Sequence, residues 1–299
     1  MNVCMQLLYN LVDFRKLLSS QSIITKLTNA KCHIGLELSE LMTKMDRKER
    51  GLDVLKFRSS LSHASCTLRC FVSGEQHDAI DFLRALIILL CKEIDTRTNR
   101  PIYEMFSSHL KHSLECTKCG VIHNCAPEWN FCIELPICGS TLKECLDSYF
   151  FNSNIIDWNN CQNGCSSGAK GRNYYEKREI LILTLKRSPE TLISFPVKKL
   201  DMTPYGALEE DCILEYHLIG VINYNGDAES GHYYIYLNIS DRWCVFNDMK
   251  VSRISEKVIV TKQAYSLIYR ESVKEKTHIV EMNCHQQESR AKIRRHTIV

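Results

Sequence analysis

Residues 231–236 read Gly-His-Tyr-Tyr-Ile-Tyr, and residues 243–248 read Trp-Cys-Val-Phe-Asn-Asp. Both stretches are rich in aromatic and β-branched residues, which predicts two β-strands. The first strand carries His232 and the second carries Asn247. Cysteine hydrolases place the general base and the residue that orients it on two such neighbouring strands. Gly231, directly before the histidine, lets another backbone approach closely. Because Asn247 and this flanking pattern accompany His232, a catalytic histidine is favoured over a hydrogen-bonded core histidine.

Composition limits the class of protein. The chain has 299 residues, 44% of them hydrophobic, which is enough for one large domain or two modest ones. No apolar run is long enough to span a bilayer, and the start lacks a basic leader, so we expect neither a membrane nor a secretory route. Sixteen scattered cysteines in a chain of this length indicate a reduced, metal-binding protein of the cytoplasm, the nucleus or both.

The net charge of +3 lies in the C-terminal tail. Residues 272–299 hold six Lys or Arg and three Glu, and six minus three accounts for the whole excess. The body is therefore neutral, which argues against a nucleic-acid partner. The tail lacks apolar periodicity, so we expect it to be disordered. Residues 290–295 could form a weak nuclear signal, although a solvated basic tail is the simpler interpretation.

Two helical segments precede a β-rich part. Apolar spacing predicts an amphipathic helix over residues 1–18 and a buried helix, apolar on two faces, over residues 78–94. Later segments predict a short helix and a polar, Gly-rich loop, at residues 142–150 and 159–172. Strands are predicted at residues 131–135, 180–185, 213–223, 232–237 and 264–269. This order of elements predicts an α+β fold with a mostly antiparallel sheet.

Two cysteine pairs have the spacing of a metal site. Cys116 and Cys119 are separated by two residues, and Cys161 and Cys165 by three. Two such knuckles bring four thiolates to one tetrahedral site, which suits a structural zinc ion. Four other cysteines lie between the pairs, so unconnected reduced cysteines stay an alternative.

Several motifs, taken in order, resemble the catalytic domain of the ubiquitin-specific proteases, which are papain-like cysteine peptidases. Residues 76–83 (Gln-His-Asp-Ala-Ile-Asp-Phe-Leu) are similar to the family's Gln-Gln-Asp-Ala-x-Glu-Phe-Leu helix. The other similar segments are the zinc fingers at 114–119 and 161–165, the strand Leu-Thr-Leu-Lys-Arg at 183–187, the histidine box at 216–218, 231–233 and 243–248, and the closing strand at 264–269.

The resemblance implies a helical thumb at about residues 1–110, with zinc-binding fingers and a β palm at about 111–271. It implies that His232 is the general base, that Asn247 orients the imidazole and that Asp248 supports the site. Asp78 would meet the arginines of ubiquitin's C-terminal tail. The departures from the family pattern include Asp81 in place of a Glu, Tyr224 in place of a frequent His, and Ser188 in place of the aromatic residue that follows Leu-x-Leu-Lys-Arg.

The nucleophile of this family lies in an Asn-Thr-Cys-Tyr-x-Asn box at the start of a helix. Aligning residues 8–18 with that helix puts the nucleophile just upstream of Met1, so we expect the chain to begin just after it. The other alignment makes Cys4 the nucleophile, but it loses every later match. The first alignment is favoured, and it predicts that Cys4 is a core residue and that the chain as written is inactive.

Three functions follow from these features. The first is a cysteine-type deubiquitinase that hydrolyses the bond to ubiquitin's C-terminal glycine. The second is an inactive relative that binds ubiquitin through its palm and fingers. The third is a zinc-stabilised interaction module outside ubiquitin chemistry. The intact pair of His232 and Asn247 favours the first, because a protein that only binds has no chemical need for it.

Overall fold

The structure is a computed structural model of the chain. It describes residues 1–30, 33–47, 55–64, 66–72, 75–125, 128–151, 155–186, 191–206, 213–227 and 230–272. The tail that we predict to be disordered lies outside the described residues from residue 273 onward. Residues 187–190, where the family's Leu-x-Leu-Lys-Arg strand motif ends, also lie outside them.

The first part of the described chain is helical. Its helices are α1 (Asn2–Asn10), α2 (Val12–Ser19), α3 (Gln21–Asn29), α4 (His33–Asp46), α5 (Leu55–Ala64), α6 (Cys66–Arg69), α7 (Ala79–Ile94) and α8 (Pro101–Phe106). The prediction of one helix over residues 1–18 is wrong, because Leu11 is extended (φ −78°, ψ 95°) and separates α1 from α2. Leu11 is also buried, so the break changes the chain's direction while its side chain stays in the core. No described helix is both long and apolar enough to cross a membrane.

Helix α7 is the central helix of this part. The Asp78 side chain caps its first turn, which satisfies backbone N–H groups that have no partner within the helix. Buried residues lie on more than one of its faces, as the sequence predicts: Ile80, Phe82, Leu83, Leu86, Ile87 and Leu90. A helix apolar around most of its circumference must be covered on several sides.

Two sheets make up the rest. Their strands are β1 (Ser108–Cys116), β2 (Ile122–Asn124), β3 (Glu128–Asn130), β4 (Ile133–Pro136), β5 (Ile155–Trp158), β6 (Ser167–Glu176), β7 (Ile180–Lys186), β8 (Leu200–Asp201), β9 (Glu215–Gly226), β10 (Gly231–Ile239), β11 (Arg242–Asn247), β12 (Lys250–Arg253) and β13 (Ala264–Glu271). The smaller sheet has the order β2-β1-β6-β5, with β3 on β1, and the larger has β12-β11-β10-β9-β13-β7-β4, with β8 on β9. Among the described strands only β4 and β7 pair in parallel, and α9 (Leu142–Phe150) lies between β4 and β5.

Part of the predicted loop at residues 159–172 is a strand, so that prediction is wrong for residues 167–172. This stretch belongs to β6, which pairs with β1 on one side and β5 on the other. Backbone hydrogen bonds to two neighbours hold it, and they need no apolar alternation. Gly168 also fits closely, since a Cβ there would lie 2.1 Å from a methyl carbon of Ile155.

The larger sheet separates two apolar cores. Ile182 of β7 packs with α1, α2 and α7 in the first core. Leu181 and Leu183, its neighbours along the same strand, belong to the second core, together with α9. Successive side chains of a strand point to opposite faces, so a strand covered on both faces reads as a continuous apolar run. This explains the unbroken apolar sequence of β7 and fixes the sheet on which the site is built.

Candidate active site and metal centre

The structure brings His232 and Asn247 together. His232 lies at the start of β10 and Asn247 at the end of β11, and the distance from His232 Nε2 to Asn247 Oδ1 is 2.7 Å. An amide oxygen only accepts, so this hydrogen bond requires the hydrogen on Nε2 and leaves Nδ1 as the basic nitrogen. The His232 side chain is 46% exposed. The pair can therefore present the Nδ1 atom of a held imidazole to a reacting group.

Asp248 lies next to this pair at a greater distance. Its Oδ2 is 3.8 Å from His232 Nε2, which is too long for a hydrogen bond and becomes an ion pair only when the imidazole is protonated. Asp248 has φ 48°, a left-handed conformation that Asp tolerates better than most residues. Its side chain is 67% exposed, so solvent weakens the interaction. Its supporting role stays a prediction.

The first residue of β10, directly before the histidine, has room for glycine alone. A Cβ on Gly231 would lie 2.3 Å from the Tyr224 ring. That ring also contacts Tyr233, with 4.7 Å between ring centroids, and its hydroxyl donates to the Asp227 carbonyl at 2.6 Å. Tyr224, a departure from the family pattern, thus closes over Gly231 and fixes the backbone beside the histidine.

Asp78 links α7 to two strands of the larger sheet. Its Oδ1 accepts from the backbone N–H groups of Ile80 (2.7 Å) and Asp81 (3.1 Å). Its Oδ2 accepts from the hydroxyls of Tyr233 (3.4 Å) and Tyr265. Burial, followed by the nearby Asp78 carboxylate, raises the pKa of both tyrosines, so both phenols remain donors at neutral pH. Neither tyrosine was singled out from the sequence, because only tertiary packing brings them to Asp78.

A cavity of about 270 Å³ adjoins Asp78, and its lining holds three acidic residues (Asp78, Asp81 and Glu134) and one basic residue, Lys186, which pairs with Glu134 at 3.3 Å. Burial, then the charge of Asp78, raises the pKa of Asp81. The hydrogen bond from Arg84 lowers the pKa of Glu134, so that carboxylate stays ionised. The cavity therefore suits a basic segment of a binding partner.

Cys4 is a core residue, as the favoured alignment predicts. It is fully buried, and its thiol donates to the Ala79 carbonyl at 3.1 Å. Burial raises the pKa of the Cys4 thiol to about 11, which keeps it protonated and unreactive at neutral pH. The Cys4 thiol bonds to Ala79 and the His232 ring bonds to Asn247, so these two side chains are not hydrogen-bond partners.

The four predicted cysteine ligands form one cluster. The Sγ atoms of Cys116, Cys119, Cys161 and Cys165 all lie within 4.8 Å of one another, and those of Cys119 and Cys161 are 3.4 Å apart. A tetrahedral ion with Zn–S bonds of 2.3 Å needs sulfur separations of about 3.8 Å, so the cluster is the right size for a metal ion. The hydrogen bond with the Cys119 thiol, then burial and Cys161, raises the pKa of Cys165 to about 12. Such crowding favours a cation that removes the thiol protons.

Strand pairing creates this cluster from two distant segments. Cys116 pairs with Ala169 at the end of the β1 and β6 ladder, and each cysteine pair lies in a turn at that end. Gly120 (φ 71°) and Gly164 (φ 67°) take left-handed conformations in these turns, which glycine adopts without steric cost. The glycine turns and the ladder of β1 with β6 together bring the two cysteine pairs to one point.

The fold and the site define a papain-like cysteine peptidase architecture, in which a strand carries the histidine and a second sheet carries the cysteine cluster. The family profile of the ubiquitin carboxyl-terminal hydrolases matches residues 1–269, and the chain belongs to this family. The predicted resemblance and the predicted fold class are both confirmed. Members of this family are deubiquitinating thiol peptidases, so the family supports that class of chemistry for the chain.

Individual relatives support this family assignment. The chain is 27% identical to ubiquitin carboxyl-terminal hydrolase 2 of Gallus gallus, over 67% of this chain and 69% of that protein. It is 28% identical to the Rattus norvegicus protein of the same name, over 67% of this chain and 40% of that protein. It is 30% identical to ubiquitin carboxyl-terminal hydrolase 25 of Arabidopsis thaliana, over 68% of this chain and 34% of that protein. The chain thus spans well under half the length of the latter two.

A solved structure has the same fold. The SAGA DUB module of Ubp8, Sgf11, Sus1 and Sgf73 bound to monoubiquitin contains a chain that superposes with a TM-score of 0.78. The identity is 21%, and the match covers 91% of this chain and 66% of that chain. A related structure of that module holds ubiquitin aldehyde, with a TM-score of 0.75. At this identity the similarity establishes the fold.

Proposed function

We propose that this chain supplies the base, its orienting amide and the ubiquitin-binding surface of a cysteine-type deubiquitinase. One observation carries the proposal: the 2.7 Å contact between His232 Nε2 and Asn247 Oδ1 in a chain of this family. A domain that only bound ubiquitin would have no chemical use for an exposed imidazole held in one tautomer.

In the proposed reaction, Nδ1 of His232 accepts the proton of a cysteine thiol, and the thiolate attacks the carbonyl carbon of ubiquitin's last glycine. The imidazolium then returns the proton to the leaving lysine amine, and water hydrolyses the thioester. Asn247 holds the ring throughout, and Asp248 supports the site from beside it. The thiol would come from an Asn-x-Cys-Tyr box, which does not occur in the 299 residues.

The proposed ubiquitin contact is electrostatic. The carboxylates of Asp78, Asp81 and Glu134 line one cavity, and arginines of the ubiquitin tail would bind there. Both oxygens of Asp78 already accept internal hydrogen bonds. Asp81, whose side chain is 58% exposed, has more capacity to receive a new donor.

We propose zinc as the ion of the four-cysteine cluster, in a structural role remote from the histidine. Four thiolates close the coordination sphere, so no position remains for substrate. Thiolate ligands and a thiol nucleophile both require reduced cysteines, which supports a location in the cytoplasm, the nucleus or both.

The test uses residues 1–299 and a second chain that carries Asn-Thr-Cys-Tyr directly before Met1. We expect the 299-residue chain to bind ubiquitin without cleaving a ubiquitin conjugate, because Cys4 is buried. The extended chain is expected to cleave the conjugate. Its two controls, a chain with Ala in place of the added Cys and a chain with His232→Ala, are expected to be inactive.

Each outcome selects one function. Cleavage that needs both the added cysteine and His232 establishes the deubiquitinase site. Ubiquitin binding without cleavage by the extended chain would favour an inactive ubiquitin-binding relative. No ubiquitin binding by either chain would refute the proposal and leave a zinc-stabilised interaction module.

A further inference from the structure

A side-chain amide clamps the backbone directly before His232. The Gly231 N–H donates to Gln76 Oε1 at 2.9 Å, and Gln76 Nε2 donates to the Gly231 carbonyl oxygen. The two residues are 155 positions apart in the chain. Gln76 precedes α7, while Gly231 begins β10. One amide thus joins the helical part to the strand that carries the histidine.

The clamp occupies a gap in the sheet. Strand β10 pairs with β9 from Gly231 to Leu237, but with β11 only from Ile235 to Ile239. Backbone groups of alternate residues face the same side, so those of Gly231 face the side on which β11 pairs with Ile235. Among the described residues no strand covers this edge at Gly231. The Gln76 amide satisfies both of its exposed backbone groups, as a neighbouring strand would.

The position of His232 depends on this backbone. Its partner in β9 is Asn225, and the preceding pair is Gly231 with Gly226. The two backbones approach so closely that a Cβ on Gly226 would lie 2.2 Å from Gly231 Cα. Both residues of this pair are glycines, so neither has a side chain that could restrain the other. Glycine has more backbone freedom than any other residue. The ladder with β9 and the Tyr224 ring hold this backbone on one side, and the Gln76 bonds hold it on the edge that faces Asn247.

We propose that Gln76 is a positioning residue for His232: it clamps the Gly231 backbone so that the imidazole meets the Asn247 oxygen with Nε2. The proposal rests on the proposed function, in which His232 is the base. Gln76 acts through the backbone and needs no contact with substrate. Its loss would loosen the imidazole while the fold persists.

The test uses residues 1–299 with ¹⁵N-glycine and ring-labelled histidine, at pH 7. In Gln76→Met, which keeps the side-chain length and removes the amide, we expect the Gly231 amide to exchange its hydrogen at least about tenfold faster. The His232 signals are expected to change from the Nε2-protonated tautomer to a mixture. The control Gln21→Met removes an exposed amide of α3 that donates to Thr25 within the same helix, and neither signal is expected to change.

A second variant separates the clamp from a general loss of structure. Gln76→Glu keeps the shape and the acceptor for the Gly231 N–H but loses the donor to its carbonyl at neutral pH. Protonation of the new carboxyl, at about pH 4, restores a donor. Rates of amide hydrogen exchange are divided by the intrinsic rate at each pH. At pH 7 we expect the Gly231 amide of Gln76→Glu to exchange faster than that of the unaltered chain. At about pH 4 we expect the two chains to exchange alike. Exchange and tautomer like those of the unaltered chain in Gln76→Met would overturn the proposal. These signals require no ubiquitin, so failure to bind ubiquitin would refute only the proposed function.

Discussion

His232 and Asn247 are separated by fifteen positions in the chain, and their contact depends on local backbone details. The pairing of β10 with β11 ends at Ile235 and Phe246, so both residues lie just beyond the ladder, where side chains can converge. Gly231 lets Tyr224 close over the backbone on one side. The site therefore relies on small and aromatic residues that have no chemical role themselves.

A methyl group at Gly231 should disrupt this arrangement. We expect Gly231→Ala to lower the free energy of unfolding by about 1–3 kcal/mol, because the new Cβ overlaps the Tyr224 ring. Urea denaturation of the variant measures the loss. In a Tyr224→Ala background the same substitution should cost much less, so equal costs in both backgrounds would contradict the overlap.

Cys4 should react slowly with an alkylating agent. Burial raises its pKa from an ordinary value of 9.0 to about 11, so its thiolate fraction at pH 8 is about 100-fold below that of an ordinary thiol. We expect iodoacetamide to label the exposed Cys138 far faster than Cys4, measured by peptide mass spectrometry. A raised pKa means that thiolate appears only as the pH rises, so Cys4 labelling should increase about tenfold per unit between pH 8 and 10. Equal rates at pH 8 would show that Cys4 is an accessible, activated thiol.

At the scale of elements, the smaller sheet depends on its cysteine cluster. Its own core among the described residues is small, with Trp158 and Ala169 packed beside Cys116 and Cys161. Strand β5 leaves Ile155 and Ile156 exposed, so apolar burial alone gives this sheet little stability. A structural metal ion would supply the missing stabilisation, since binding free energy contributes directly to folding.

Removing one ligand should therefore remove both metal and stability. We expect Cys119→Ala to lower the zinc content from about one ion per chain to none and to reduce stability by at least about 2 kcal/mol. Elemental analysis and thermal unfolding measure the two effects. The matched control Cys125→Ala lies outside the cluster and should change neither. Unchanged metal content and stability in Cys119→Ala would refute the zinc site.

At the scale of the whole molecule, Asp78 joins the helical part to the larger sheet. Its two oxygens bind the first turn of α7 and the hydroxyls of Tyr233 in β10 and Tyr265 in β13. The carboxylate is thus a structural contact between two parts of the fold, beside the cavity proposed for ubiquitin. This geometry gives Asp78 a role in stability that the family resemblance does not imply.

Substitution of Asp78 should destabilise the free protein. We expect Asp78→Ala to cost about 2–4 kcal/mol, because it removes a helix cap and leaves two half-buried hydroxyls without their acceptor. Asp81→Ala is the control, since its exposed carboxylate forms an ion pair with Arg84, and its loss should cost less than about 1 kcal/mol. Both variants are compared by urea denaturation without ubiquitin. Equal stabilities would indicate that Asp78 matters only in binding.

The sequence predicted the elements whose signal is local. The apolar faces of α7 and the β-branched run of β7 follow from residue spacing, and both are found. Strand β6 was missed in part because Gly168 and its polar neighbours carry no periodic signal, and their strand is held by β1 and β5. The break at Leu11 was missed because both flanking segments keep helical spacing.

The sequence by itself determined the family and the α+β class. It also indicated the four cysteines as candidate metal ligands and His232 with Asn247 as a candidate catalytic pair. These depend on residue type and spacing, which physical chemistry and family motifs both constrain. Only the tertiary structure decided that Asp78 binds two tyrosines, that the Cys4 thiol donates to the Ala79 carbonyl and that Gln76 clamps Gly231. Each is a contact between residues 75 to 187 positions apart, and its existence depends on how helices and sheet pack, which no local pattern encodes.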